Sequence, residues 1–496
     1  MEKETGFRKE IRLFDGIMLV SGTMIGSGIF IVSADIARNV GSSGYLLLVW
    51  ALSGFLTIAA ALSYGELTSM FPKAGGQYVF LREAYNPLMG FLYGWTYFLV
   101  IQTGTIAAVG VAFAKFTGVF IPYFNADNIV ADLGFLRINT QQVLAIAVIA
   151  ILTLVNIRGV RYGKWIQTIF SGTKILALFG LIAIGLFVSN AEAIAENFSQ
   201  WWNAKSTMVA ADHVTLIVHS LSGWALIVAI ASSMVGSMFA MDAWNGITFT
   251  GDEVINPKRN IPLSMGIGVA LVSFIYLLLN ITYLTNLPLE GIPGSEISRN
   301  VFEQGIQFAK DDRVGVAVAD AMAGHHAVLL VAALIMVSTF SCLNGLILTA
   351  PRMFYKMAED KLFFKSMGKL NSKGVPAVAT IFASVWACLL CLSGTYGNLL
   401  DYVVFAVLLF YIFTIIGVFI LRKKLPYAPR QYKAFGYPVL PAIYVGIVIL
   451  ICIILLIYKP DYTWPGFIVV GLGVPAYFIF RKGNESVNPN GKGQNN

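Results

Sequence analysis

Two interruptions in otherwise apolar stretches carry residue types that could bind a charged solute. The first is Gly22-Thr23-Met24-Ile25-Gly26-Ser27-Gly28, with three glycines in seven residues. Gly26 and Gly28 weaken a helix and free backbone N–H groups. At the start of a half-helix from Ile29, such donors suit a carboxylate. Close helix packing through small residues is the competing reading. A phosphate-binding loop of the soluble kind is excluded, because no strand precedes the glycines and no Lys-Ser/Thr follows them. The second interruption is Phe239-Ala240-Met241-Asp242-Ala243-Trp244-Asn245-Gly246. It sets an aspartate inside a hydrophobic run, where ionisable side chains face a bundle interior or a cavity. A third ionisable residue, Lys174, lies halfway along the apolar run that contains Ser171-Gly172-Thr173. A buried ammonium needs acceptors, and unwound carbonyls of the first interruption can supply them; a purely structural lysine is the alternative. Glu66, near the end of its apolar run, reads as structural.

The elements that position these residues follow from composition. Of 496 residues, 57% are hydrophobic and 12% charged, and the mean hydropathy is +0.73. A soluble protein carries about twice that charge. Disorder is excluded by 13% aromatics, and a secreted disulfide scaffold by the presence of four cysteines in all. An integral membrane protein remains. The net charge of +8 reads as the cationic loops of a bilayer protein rather than a nucleic-acid surface. Cys342, Cys388, Cys391 and Cys452 all lie in apolar runs and read as small core residues, with no spacing suited to a metal and no cofactor motif nearby. The charged start, MEKETGFRKEIRLFDG, does not read as a cleavable signal peptide.

A window of about 20 residues gives twelve segments, numbered one to twelve, near 14–38, 45–71, 88–120, 139–157, 163–188, 224–254, 262–286, 327–357, 375–394, 398–421, 436–457 and 463–481. Their long apolar runs indicate helices rather than an alternating barrel. Lysine and arginine concentrate on one side, which predicts cytoplasmic N- and C-termini in a multi-pass plasma (inner) membrane protein. The long connections, 189–223 and 287–326, are then external and hold all four histidines. The tail from 482 is polar and is expected to be disordered. Asp242 lies five segments after the first interruption, so five-helix halves of opposite orientation, 14–188 and 224–421, would make the two breaks symmetry mates at the midplane. Residues 422–481 add two more helices.

The chain resembles the L-type amino acid transporter (LAT) branch of the amino acid–polyamine–organocation superfamily, from Leu13 to about Arg481. The resemblance rests on Gly22–Phe30, on Ser63-Tyr64-Gly65-Glu66-Leu67 with Phe71-Pro72-Lys73-Ala74-Gly75-Gly76-Gln77-Tyr78, on Gly251-Asp252-Glu253-Val254-Ile255-Asn256-Pro257, and on Ser338–Gly345 with Pro351-Arg352-Met353-Phe354-Tyr355. It implies an all-α fold of the LeuT type with twelve transmembrane helices, helices one and six being broken. It implies that Thr23, Met24, Gly26, Ser27 and Gly28 bind the substrate's carboxylate and that Phe239 gates the site. Ala240, Asp242, Trp244 and Asn245 would meet the amino group and side chain. Lys174 would stand in for a sodium ion of sodium-coupled relatives, with Tyr276 beside it. Loop 120–138 lacks the cysteine by which animal relatives tie a glycoprotein partner, so a bacterial-type member without a disulfide-linked heavy chain is expected.

These readings converge on a permease that exchanges L-amino acids, neutral ones above all, without sodium. The alternative is a proton-coupled symporter, open to cationic amino acids, with Lys174 or Asp242 titrating. A membrane-embedded enzyme is disfavoured, since the segments contain no HExxH and no nucleophile–base pair. The expected partners are L-amino acids and the lipid bilayer.

Overall fold

The computed structural model describes residues 7–132, 137–199, 201–210, 215–293, 300–392 and 396–485. The polar tail beyond 485 and His213 lie outside the described residues. The membrane-embedded fold is all-α: among the described residues ten helices are long and apolar enough to cross a membrane, matching segments two to eight and ten to twelve. Segments one and nine instead hold shorter apolar helices, Leu13–Met24 and Ala377–Cys391. Segment one is short because it breaks: its ladder ends at Ile25, one 3-10 turn follows over Gly28–Phe30, and Val32–Val40 completes it. The second half therefore starts at Val32 rather than at Ile29.

Local sequence sets the ends of the long helices. The Asn86 side chain accepts from Met89 N at 3.0 Å, and Pro87 opens segment three, where its missing N–H has no helical partner to lose. Asn139 and Gln142 cap segment four reciprocally. Between their caps the helices are apolar on nearly every face, as burial inside a bundle and against lipid requires. Segment two packs along segment seven, and segment one nests among segments five, seven and eight.

The connections hold more structure than sequence alone indicates. A helix Ala191–Ser199 and an antiparallel hairpin, Lys205–Val209 with Leu216–Ser220, fill 189–223. A second small hairpin pairs Ile129–Asp132 with Arg137–Asn139. In the connection 287–326, after a short helix Val301–Gln304, a longer helix begins at Val314, runs to a kink at Ala323 and Gly324, and continues as segment eight to Thr349. Val314, Gly315, Ala317, Val318 and Ala319 are buried and no residue from Val314 to Met322 is exposed, so this nine-residue piece packs into the bundle. Its apolar residues are cut off from those of segment eight by Gly324-His325-His326. His219, His325 and His326 are exposed.

Candidate functional site

The breaks in segments one and six lie against each other. Segment six runs helically over Gly223–Ala240, leaves the helix at Met241–Ala243, and resumes as a 3-10 helix from Trp244. Ala243 takes a left-handed φ of 68°, unusual for a residue with a Cβ. The two breaks touch at Gly28, where an added Cβ would fall 2.6 Å from Ala240 Cβ and 3.0 Å from its Cα. Gly28 is thus first of all a close-packing glycine, and the Ala240 methyl group faces it.

One hydroxyl clasps both breaks. Tyr276 Oη lies 3.1 Å from Met24 O and 3.2 Å from Ala240 O, donating to carbonyls on the two broken segments. The Tyr276 ring is fully buried and meets Trp50 edge-on at 5.4 Å. Lys174 fastens segment one from the other side. Its Nζ donates to Gly22 O and Ile25 O at 2.6 Å and to Ser338 O at 3.3 Å. Ser338 Oγ adds a bond to Ile25 O at 2.9 Å, and Cys342 Sγ donates to Thr23 O at 2.9 Å. Freed carbonyls of segment one are thereby held by segments five and eight. The N–H groups from Gly26 to Ile29 fall between the last helical rung, Ile25 N to Ser21 O, and the first 3-10 rung, Phe30 N to Ser27 O. They belong to neither ladder, as expected at a helix start.

Two narrow cavities flank the segment-six break, and Asp242 and Tyr411 line both. The first is largely apolar, walled by Thr57, Ala60, Phe239, Trp244, Val404 and Tyr444 among others. The second is polar, with Gln77, Tyr97, Gln102, Thr105 and Asn245. Their free volumes are about 20 Å³ and 10 Å³, room for about one water each. Tyr411 Oη donates to Asp242 Oδ1 at 2.5 Å. Trp244 is wedged between Tyr64, 4.8 Å away edge-on, and Tyr411.

The structure thus brings Phe239, Asp242, Trp244 and Asn245 to cavity walls. It places Thr23, Met24, Gly26, Ser27 and Gly28 behind them, buried at the junction of segments one, six and eight, and lining neither cavity. Ala240 also faces that junction rather than open space. Residues that sequence reading did not single out for the site are Tyr411, Gln77, Tyr97 and Gln102. Gln77 stands in a quoted motif; the others lie in apolar helices with nothing local to mark them. Among the described residues no three of His, Cys, Asp or Glu gather as a metal site would need.

Comparison with known proteins bears on the family of the chain. The family model for amino acid permeases matches residues 11–478. The chain is 28% identical over 486 residues to the b(0,+)-type amino acid transporter 1 of Mus musculus, covering 96% of this chain and 89% of that one. It is 27% identical over 473 residues to the human large neutral amino acids transporter small subunit 2, covering 95% and 80%. It is also 27% identical over 443 residues to the serine/threonine exchanger SteT of Bacillus subtilis (strain 168), covering 88% and 89%. With a match that spans both breaks and all the fastenings around them, the chain belongs to the amino acid permease family, a family of transporters rather than enzymes.

Proposed function

We propose that this permease is a sodium-independent exchanger of neutral L-amino acids, with both termini cytoplasmic and the carboxylate received at the Gly26–Gly28 break. The observation that carries the reading is the pair of broken helices clasped by Tyr276, with the Lys174 ammonium spread over three carbonyls. A zwitterion needs N–H donors for its carboxylate and carbonyl acceptors for its amine within a few ångströms, and two facing breaks offer both. A fixed ammonium on segment-one carbonyls takes up acceptors that a bound sodium ion would otherwise need. The relative named as a serine/threonine exchanger supports exchange as the mode, and the relative named for large neutral amino acids supports the substrate class.

A second reading, proton coupling or uptake of cationic side chains, is favoured by Asp242, whose carboxylate lines both cavities and accepts from Tyr411. The purified chain in liposomes separates the two. Exchange of labelled neutral amino acid that requires amino acid inside, and ignores an imposed sodium gradient, supports the first. Accumulation driven by a proton gradient into vesicles without internal amino acid supports the second. Accumulation driven by sodium refutes both.

A further inference from the structure

The loop after segment two carries a helix, Gly76–Ala84, whose first residues reach the polar cavity. We propose that Gln77 on this helix is a positioning residue. It orients the Asn245 amide at the cavity wall beside Asp242 and thereby sets the affinity for substrate. The inference rests on the transport reading above and concerns a cavity-wall residue that acts on substrate through its hold on Asn245.

The geometry gives Gln77 one bond on each side. Asn245 Nδ2 donates to Gln77 Oε1 at 3.0 Å, and Gln77 Nε2 donates to Thr414 Oγ1 at 2.9 Å. Thr414 passes its own proton to Phe410 O at 2.8 Å. The relay runs in one direction, from Asn245 on segment six through Gln77 to Thr414 on segment ten. All three side chains are at least nine-tenths buried. An amide has a carbonyl end and an NH2 end, so anchoring the NH2 of Gln77 on Thr414 forces its oxygen toward Asn245. That choice in turn spends an Asn245 N–H on Gln77.

The seat of Gln77 is rigid. Gly76 has a positive φ of 45°, and a Cβ there would fall 2.2 Å from Thr248 Oγ1 and 2.7 Å from the Phe249 ring. The helix start is therefore pressed onto the 3-10 helix that carries Asn245. One residue along, Tyr78 Oη donates to Asp360 Oδ2 at 2.8 Å, and Arg82 pairs with the same carboxylate. The far end of the helix is thus pinned outside the cavity while Gln77 faces it.

The test is a double-variant cycle on exchange kinetics in proteoliposomes. Gln77→Met keeps length and removes both bonds. Losing hydrogen bonds of ordinary net strength should raise KM about five- to tenfold with Vmax within about twofold. In an Asn245→Ala background the same change should add less than about twofold, because Gln77 acts through Asn245. Thr414→Val, close in shape, loosens only the anchor and should raise KM about two- to threefold; it decides the matter if Gln77→Met cannot be purified. An unchanged KM in Thr414→Val, a fall in Vmax alone for Gln77→Met, or independent multiplication of effects in the double variant overturns the proposal. A wild-type protein that exchanges no amino acid defeats the transport reading instead.

Discussion

The most informative single atom in the site is the Tyr276 hydroxyl. Tyr276→Phe leaves the ring, its fully buried seat and its edge-on contact with Trp50 in place, and removes only the group that meets Met24 O and Ala240 O. A buried acceptor deprived of its donor costs about 1–3 kcal/mol. The proton is shared between acceptors at 3.1 and 3.2 Å, so one bond's worth is lost rather than two. The balance between clasped and parted breaks then shifts by a factor of about five to about a hundred and fifty, at ~1.36 kcal/mol per tenfold. If substrate is held between the breaks, exchange efficiency, measured as Vmax/KM for labelled substrate in preloaded proteoliposomes, falls by at least about fivefold. The detergent-solubilised protein should also melt lower. Exchange within twofold of wild type, with an unchanged melting temperature, would refute the clasp.

Other substitutions test neighbouring parts. Lys174→Ala removes a charged donor from Gly22 O, Ile25 O and Ser338 O, each such bond contributing about 1.5–3 kcal/mol. Exchange should drop at least about tenfold, and an unimpaired variant would show that segment one holds its break unaided. Gly28→Ala should abolish exchange through its clash with Ala240, whereas Gly172→Ala, with open space around its added methyl, should leave it unchanged. Partial rescue of Gly28→Ala by Ala240→Gly would establish packing as the role of Gly28, and failure of that rescue would return it to direct contact with substrate. Phe239→Ala should lower exchange strongly at normal protein yield, by opening the apolar cavity beside Thr57 and Tyr444; wild-type rates in that variant would remove Phe239 from the gate.

Residues that are costly where they stand were the legible ones. An aspartate or a lysine deep in an apolar run has few explanations, so Asp242 and Lys174 stand out, and three glycines in seven residues mark a break without any partner being known. Their surroundings were not legible for the converse reason. Tyr411 is one aromatic among many in its segment and lies 169 positions from Asp242; only the packing of segments six and ten joins them. Gln77 could be seen in a glycine-rich motif but not paired with Asn245 or Thr414. The apolar segments emerged because a bilayer demands about 20 apolar residues in a row. The nine-residue helix from Val314 escaped because Gly324-His325-His326 separates it from the longer apolar run that reads as segment eight.

The basic end of the bundle shows how closure there is balanced. Two carboxylates are fully buried at this end, and they are satisfied unequally. Glu66 receives Arg422 through two bonds of 2.9 and 2.7 Å, pairs with Arg430 at 3.1 Å, and accepts from Ala434 N at 2.8 Å. Segment two is thereby bound to segment ten and to the loop that follows it. Glu253 instead meets Arg352 through one oxygen at 3.1 Å, and its Oε2 finds no partner among the described residues. Separating a buried pair in place costs several kcal/mol, but a pair that parts into water recovers hydration. The unmatched oxygen has the most to gain from that water. Glu253 also holds the N-terminal stretch, its carbonyl accepting from Glu10 N and Ile11 N at 2.9 and 3.0 Å. Glu253 therefore ties segment six to segment eight and to the N-terminal stretch, and the Glu66 cluster ties segment two to segment ten and the loop after it.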